Sequence, residues 1–280
     1  MATENRDGLQ VEGHLLSIVI PVRDEANYIG DLISRIRASM NGHKYEIIVV
    51  NDGSKDGTED ILVNYGTLVI SHPENLGKGA AMKSGVARAA GDIIIFMDGD
   101  GAHEPQDITR LVEPILEHKA DMVIGSRVLP ESKVIVSPYA RRLCNKLASF
   151  VISALISFPL TPSAVFKVLA RNGNNNHNND HSSRFNNGSK GKWIRITDCT
   201  SGLRAITRDS WQKLALVSRG FQIETEMIYE AARNKLTITE VPISCNWDNH
   251  FSHLSVFKDG LKTVRLLAKK VLGTNGTKGS

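Results

Sequence analysis

Asp98-Gly-Asp100 places two carboxylates one residue apart, directly after the apolar run Asp92–Met97 (DIIIFM). On an extended backbone, residues i and i+2 project to the same side, so both carboxylates face one space. They repel and raise each other's pKa until a cation joins them. A hard divalent ion with oxygen ligands, Mg²⁺ or Mn²⁺, resolves that conflict and keeps positions open for a diphosphate. An Asp-x-Asp can also simply end a strand in a turn, so its company decides. Asp24 and Glu25 in PVRDEAN (Pro21–Asn27) and Asp52 in NDGSKDGT (Asn51–Thr58) add acidic acceptors able to hold a base or ribose. Gly77-Lys78-Gly79 offers backbone N–H groups and a cation at the start of a helical pattern, which suits an anion. The Walker pattern GxxxxGK[ST] is absent. A nucleoside diphosphate held by carboxylates through a metal is the economical reading.

These clusters share one place relative to the apolar runs. Leu15–Pro21, Tyr45–Asn51, Leu68–Ser71, Asp92–Met97 and Ala120–Ile124 are expected strands. Ala26–Met40, a short segment from Thr58, residues 78–90 and Gln106–His118 show helical spacing. Continuous apolar strands alternating with helices predict a parallel sheet covered on both faces, the doubly wound α/β class. Ligands of such sheets bind beyond the carboxyl ends of the strands. PVRDEAN, NDGSKDGT, DGDGAH (Asp98–His103) and GSR (Gly125–Arg127) all fall there.

The chain has 280 residues, 41% hydrophobic and 23% charged, a globular composition that excludes collagen, extensive disorder and a multispan bundle. Lys+Arg 34 against Asp+Glu 30 gives +4. That balance suits anionic small substrates or an anionic membrane surface better than nucleic acid. Three cysteines (Cys144, Cys199, Cys245) without a CxxC pair support neither a disulfide framework nor a zinc knuckle, and imply a reducing compartment. The start, MATENRDGLQVEGH, does not read as a secretory signal, and residues 1–14 are expected to be flexible.

The second half is less regular. Ser137-Pro138 is expected to open a helix bearing Arg141 and Arg142. The uncharged stretch 147–166 is long enough for a bilayer, but Pro159 and Pro162 predict an amphipathic or interfacial helix followed by a turn. Residues 171–192, mostly Asn, Ser, Gly and Lys, are expected to be a disordered insertion in which His177 and His181 are solvated. Trp193–Thr197 (WIRIT) is an expected strand, Asp198–Ala205 a turn, Glu224–Asn234 a helix and Thr237–Pro242 a strand. Leu254–Leu272 is a basic amphipathic helix suited to an acidic membrane or to packing on the domain. The divisions expected are 1–14, a nucleotide-binding half 15–128, a second half 129–250, and a basic helix and tail 251–280.

Together, IVIPVRDEAN, IIVVNDGSKDGT, NLGKGAAMKSGVARAAGDIIIFMDGDGAHEP, VIGSR, SGLRA and FQIETEMI followed by ITEVPI resemble the inverting glycosyltransferases of family 2, with the GT-A fold. Within that family the resemblance is to dolichyl-phosphate mannose synthases and related polyprenyl-phosphate sugar transferases, over about residues 15–245. It implies a Rossmann-like, mostly parallel sheet with an acceptor-side subregion at 129–250. It implies that Pro21, Val22, Asp24, Glu25, Lys78 and Gly99 line the nucleotide-sugar pocket, with Asp52 on the base or ribose and Asp98 and Asp100 on Mg²⁺ or Mn²⁺. Arg127, Arg141 or Arg142, Asn145 and Arg204 would surround the acceptor phosphate, and Glu226 would stand near the acceptor. Asp100, Arg127, Arg204 and Glu226 form the implied catalytic set. Ala102 replaces a Gln or Ser that reaches the metal in many members, leaving that place to water, and His103 is expected to be structural. The implied donor is GDP-mannose or UDP-glucose and the implied acceptor dolichyl or polyprenyl phosphate. The expected location is peripheral, on the cytoplasmic face of a membrane, alone or with an integral-membrane partner. A hydroxyl acceptor is the alternative, and it would need Glu226 or Glu224 as a base.

Overall fold

In a computed structural model, which describes residues 13–135, 139–157, 195–246 and 256–273, the apolar runs form the strands expected of them. The order is β1 (Leu16–Val22), α1 (Ile29–Ser39), β2 (Tyr45–Asn51), α2 (Thr58–Val63), β3 (Leu68–Ser71), α3 (Lys78–Arg88), β4 (Ile93–Phe96), α4 (Asp107–Leu116) and β5 (Met122–Ser126). There follow β6 (Lys133–Ile135), α5 (Tyr139–Ser157), β7 (Arg204–Thr207), α6 (Arg208–Gln212), α7 (Ile223–Arg233), β8 (Ile238–Pro242), β9 (Ser244–Asn246) and α8 (Val256–Gly273).

A seven-stranded sheet runs β3-β2-β1-β4-β7-β5-β8, and β6 pairs with β9 separately. Within the large sheet β7 alone is antiparallel, against both β4 and β5. The period of two sorts β1: Leu16, Ile18, Ile20 and Val22 pack with α1, α2 and α4 on one face, while Val19 packs with α3, α7 and α8 on the other. Both faces are therefore covered, and the polar residues at the strand ends are left to line the carboxyl edge.

The sheet departs from the sequence reading at its centre. Trp193 and Ile194 lie outside the described residues, and Arg195–Thr197 form no strand. The N–H groups of Thr197 and Asp198 donate instead to the Glu240 carboxylate at 2.9–3.0 Å, so this segment is tied to β8 by a side chain rather than by a ladder. The end of the supposed turn, Arg204–Thr207, is the inserted strand. It places part of the second half inside the sheet of the first.

Among the described residues no helix is long and apolar enough to cross a membrane. Ser137-Pro138, Pro159, Pro162 and the insertion 171–192 fall outside the described residues.

Candidate functional site

The loops after β1 and β2 clasp each other at the carboxyl edge. Asp24 adopts φ 56°, and its Oδ1 accepts from the Lys55 N–H at 2.7 Å while its own N–H donates to Ser54 Oγ at 3.0 Å. Glu25 N–H donates to Thr58 Oγ1 and Ala26 N–H to Asp56 Oδ2. Pro21 and Val22 end β1, and Gly99 lies so close that a Cβ there would fall 2.5 Å from Val22 Cγ1. Asp52 is buried. Its carboxylate accepts from the N–H groups of Leu76 and Gly77 at 2.9 and 2.8 Å and meets His72 Nδ1 at 2.7 Å. In this arrangement Asp52 shapes the loop that presents Lys78.

Lys78 joins two elements far apart in sequence. Its Nζ pairs with Asp98 Oδ1 after β4 and with Glu224 Oε1 of α7, the latter at 2.5 Å. Burial would lower the Lys78 pKa, but Asp98 and Glu224 outweigh it and the net direction is up. Burial likewise works to raise Asp98, yet Lys78, then His103 and Arg127, bring it below the ordinary carboxylate value. A side chain at Gly202 would overlap the Asp98 carboxylate, so the turn before β7 packs directly on this residue. Asp100 Oδ1 accepts from the Ala102 N–H at 3.0 Å. His103 is buried, its Nδ1 has no partner, and burial pushes its pKa down.

Negative charge accumulates at this edge beyond what Lys78 offsets. Glu25 is pushed up to about 8, by burial first and then by Asp100, Asp98, Asp56 and Asp24. That surplus fits a divalent cation, which would relieve the repulsion. Among the described residues no three His, Cys, Asp or Glu side chains converge as a metal set. A cation here would take Asp98 and Asp100 from the protein and oxygens from substrate or water, the coordination habit of Mg²⁺.

The expected acceptor residues meet around the turn 198–203. Arg127 forms a bidentate pair with Asp198, Nε to Oδ2 at 2.7 Å and Nη2 to Oδ1 at 2.8 Å, and Nη2 also donates to Thr200 Oγ1 at 3.1 Å. Thr200 Oγ1 donates in turn to Asn145 Oδ1 at 3.0 Å, linking the corner to α5. Arg204 is fully buried. Its guanidinium donates to the carbonyls of Ser201, Cys199 and Glu224, so it braces this turn against α7. Arg141 and Arg142 lie on the first turn of α5, and their side chains fall outside the described residues.

Glu226 is not brought to the carboxylates. It is fully buried on α7, accepts from the N–H groups of Val217 and Ser218, and pairs with Lys270 of α8 at 2.8 Å. Glu224, two residues earlier, is the α7 carboxylate at the site. Sequence reasoning weighed both, because 223–226 alternate Ile-Glu-Thr-Glu and helical periodicity does not order them. It missed Asp198 and Thr200, whose only signal was a buried arginine in need of a carboxylate.

Residues 17–213 match the model of Glycosyl transferase family 2. A UDP-N-acetylglucosamine–dolichyl-phosphate N-acetylglucosaminyltransferase of Methanococcus voltae is 27% identical over 252 residues, covering 82% of this chain and 84% of that one. A dolichol-phosphate mannosyltransferase of Pyrococcus furiosus is 35% identical over 140 residues, 49% of this chain and 40% of that one. The crystal structure of glucosyl-3-phosphoglycerate synthase from Mycobacterium tuberculosis in complex with Mn²⁺, uridine diphosphate and glucosyl-3-phosphoglycerate covers 96% of this chain and 82% of its own. Its TM-score is 0.59 at 21% identity, a likeness of fold.

Proposed function

Since the chain belongs to glycosyl transferase family 2, we propose that it moves a hexose, mannose first among the candidates, from a nucleoside-diphosphate sugar to dolichyl or polyprenyl phosphate, with inversion. The observation that carries the choice of acceptor is the state of Glu224. The α7 carboxylate at the site is ion-paired with Lys78 through Oε1, so we read its task as holding that cation rather than taking a hydroxyl proton. A phosphate monoester does not need one. Its second pKa lies near 6, so its oxygen is already anionic at neutral pH.

Catalysis then reduces to positioning and charge neutralisation. Asp24, Glu25 and the Asp52-shaped loop hold the nucleotide, and Lys78 meets the diphosphate. Mg²⁺ or Mn²⁺ on Asp98 and Asp100 would supply the charge that stabilises the departing nucleoside diphosphate. Arg127, set by Asp198 and Thr200, faces the acceptor phosphate with Asn145, while Arg204 keeps the turn in place. The dolichyl-phosphate relatives support this acceptor. We place the chain peripherally on the cytoplasmic face of a membrane; a lipid acceptor and the basic helix α8 support the membrane position.

Radiolabelled GDP-mannose, UDP-glucose and UDP-N-acetylglucosamine, offered with dolichyl phosphate and Mn²⁺, test the reading. Label is expected in the organic phase with one donor and lost with EDTA or in Asp100→Ala. Label appearing only on water-soluble acceptors such as 3-phosphoglycerate would overturn it.

A further inference from the structure

Helix α8 reaches the donor side of the site through one half-buried cation. Lys270 Nζ lies 2.8 Å from Glu226 Oε1 and 2.5 Å from Glu230 Oε1, both on α7, and donates to the Ala215 carbonyl at 2.7 Å. Glu226 accepts from the N–H groups of Val217 and Ser218 at 2.9 and 2.8 Å. The carbonyls of the same loop face α3: Ser218 O accepts from Lys83 Nζ at 2.8 Å and Arg219 O from the Ala80 N–H at 3.0 Å. A Cβ on Gly77 would fall 2.5 Å from Arg219 O, and one on Gly79 2.8 Å from Ser218 O. Gly77 also sits at φ +97°, a conformation glycine adopts without steric cost. Between these glycines stands Lys78, the cation on Asp98 and Glu224. The contacts therefore run without a gap from α8 to Lys78.

The other face of α8 points outward. Lys262, Arg265 and Lys269 are exposed, Val264 is 57% exposed among them, and residues 262–270 include no acidic side chain. Helix α5, which packs against α8, exposes Lys146, Leu147 and Val151. Docked, the two helices offer basic and apolar side chains together; detached, α8 offers only its own. Basic and apolar groups of this kind complement an anionic bilayer surface.

We propose that Lys270 is a positioning residue for the donor site, and that an anionic lipid surface, by favouring docked α8, strengthens nucleoside-diphosphate binding. The lipid half rests on the reading of the acceptor as a membrane lipid; the Lys270 half does not. A surface that binds the docked form better shifts the population toward it, and the 217–219 loop is thereby held against the Gly77-Lys78-Gly79 turn.

The test measures GDP and UDP affinity of the full chain with Mg²⁺, first without lipid and then with neutral or phosphatidylserine-containing vesicles. Lys270→Met is expected to weaken affinity about tenfold, within the usual range of couplings between sites, and Lys270→Arg to restore most of it. Acidic vesicles tighten binding to the wild type and not to Lys270→Met, whereas neutral vesicles do nothing. The double variant Arg265→Ser, Lys269→Ser binds nucleotide as the wild type does without lipid but loses the vesicle effect. Unchanged affinity in a folded Lys270→Met overturns the positioning role. If that variant does not fold, hydrogen exchange of the Val217 and Ser218 amides in the wild type decides: added protection with acidic vesicles supports the coupling, and none overturns it. Lys270 and vesicle effects without any transfer to dolichyl phosphate would sink the acceptor reading and leave this coupling standing.

Discussion

Lys78 keeps two carboxylates of different strands and helices at one point, and removing it exposes what each does. Lys78→Met leaves Asp98 and Glu224 facing each other without their cation. It is expected to lower kcat/KM by about 10²-fold, the scale of losing one electrostatic contact to developing charge, as steady-state kinetics would show. Glu224→Gln separates the two acceptor chemistries. With a phosphate acceptor it should reduce kcat by less than about tenfold, because the residue only holds Lys78; a general base would cost about 10²–10⁴-fold. A loss in the larger range would move the reading to a hydroxyl acceptor.

At the scale of elements, the turn between α5 and β7 depends on the Arg127–Asp198 pair. Asp198 is fully buried, which acts to raise its pKa, but Arg127 holds it below the ordinary 3.8. A depressed carboxyl contributes stability above its unfolded pKa and loses it as pH falls toward the folded value. Asp198→Asn should therefore unfold about 3–5 kcal/mol more easily near neutral pH, the cost of a buried charge left unpaired. Urea titrations should show the gap to the wild type closing below about pH 4. A gap independent of pH would mean that shape rather than charge holds the turn. The same region shows what sequence alone conveys. The strands β1 to β5 and their helices were legible because continuous apolar runs ended in polar clusters. Strand β7 was not, because Arg204 at its start looks like a turn residue until Glu224, Ser201 and Cys199 carbonyls are seen to satisfy it. WIRIT looked like a strand because it alternates, but Ser153 Oγ takes the Ile196 N–H and Glu240 the Thr197 N–H. Carboxylates at strand ends could be read directly. The carboxylates that pair with Arg127 and Lys78, 71 and 146 residues away, could not, since pairing across the sheet leaves no local pattern.

At the scale of the whole molecule, a sheet covered on both faces leaves its carboxyl edge lined by polar residues, and the antiparallel β7 brings the turn 198–203 against Asp98 at that edge. Donor and acceptor would thus meet over Asp98, with Arg127 on one side and Lys78 on the other. The central claim is that the new bond forms to a phosphate oxygen. Phosphorus NMR of a lipid-phosphate acceptor, titrated with pH before and after reaction with the sugar nucleotide, examines that bond itself. A monoester shift moves through its second ionisation near pH 6, and a diester has no such ionisation. The expected result is a product resonance that no longer titrates. A resonance that still titrates near pH 6 while the nucleoside diphosphate is released would show that the sugar went elsewhere and would contradict the proposed reaction.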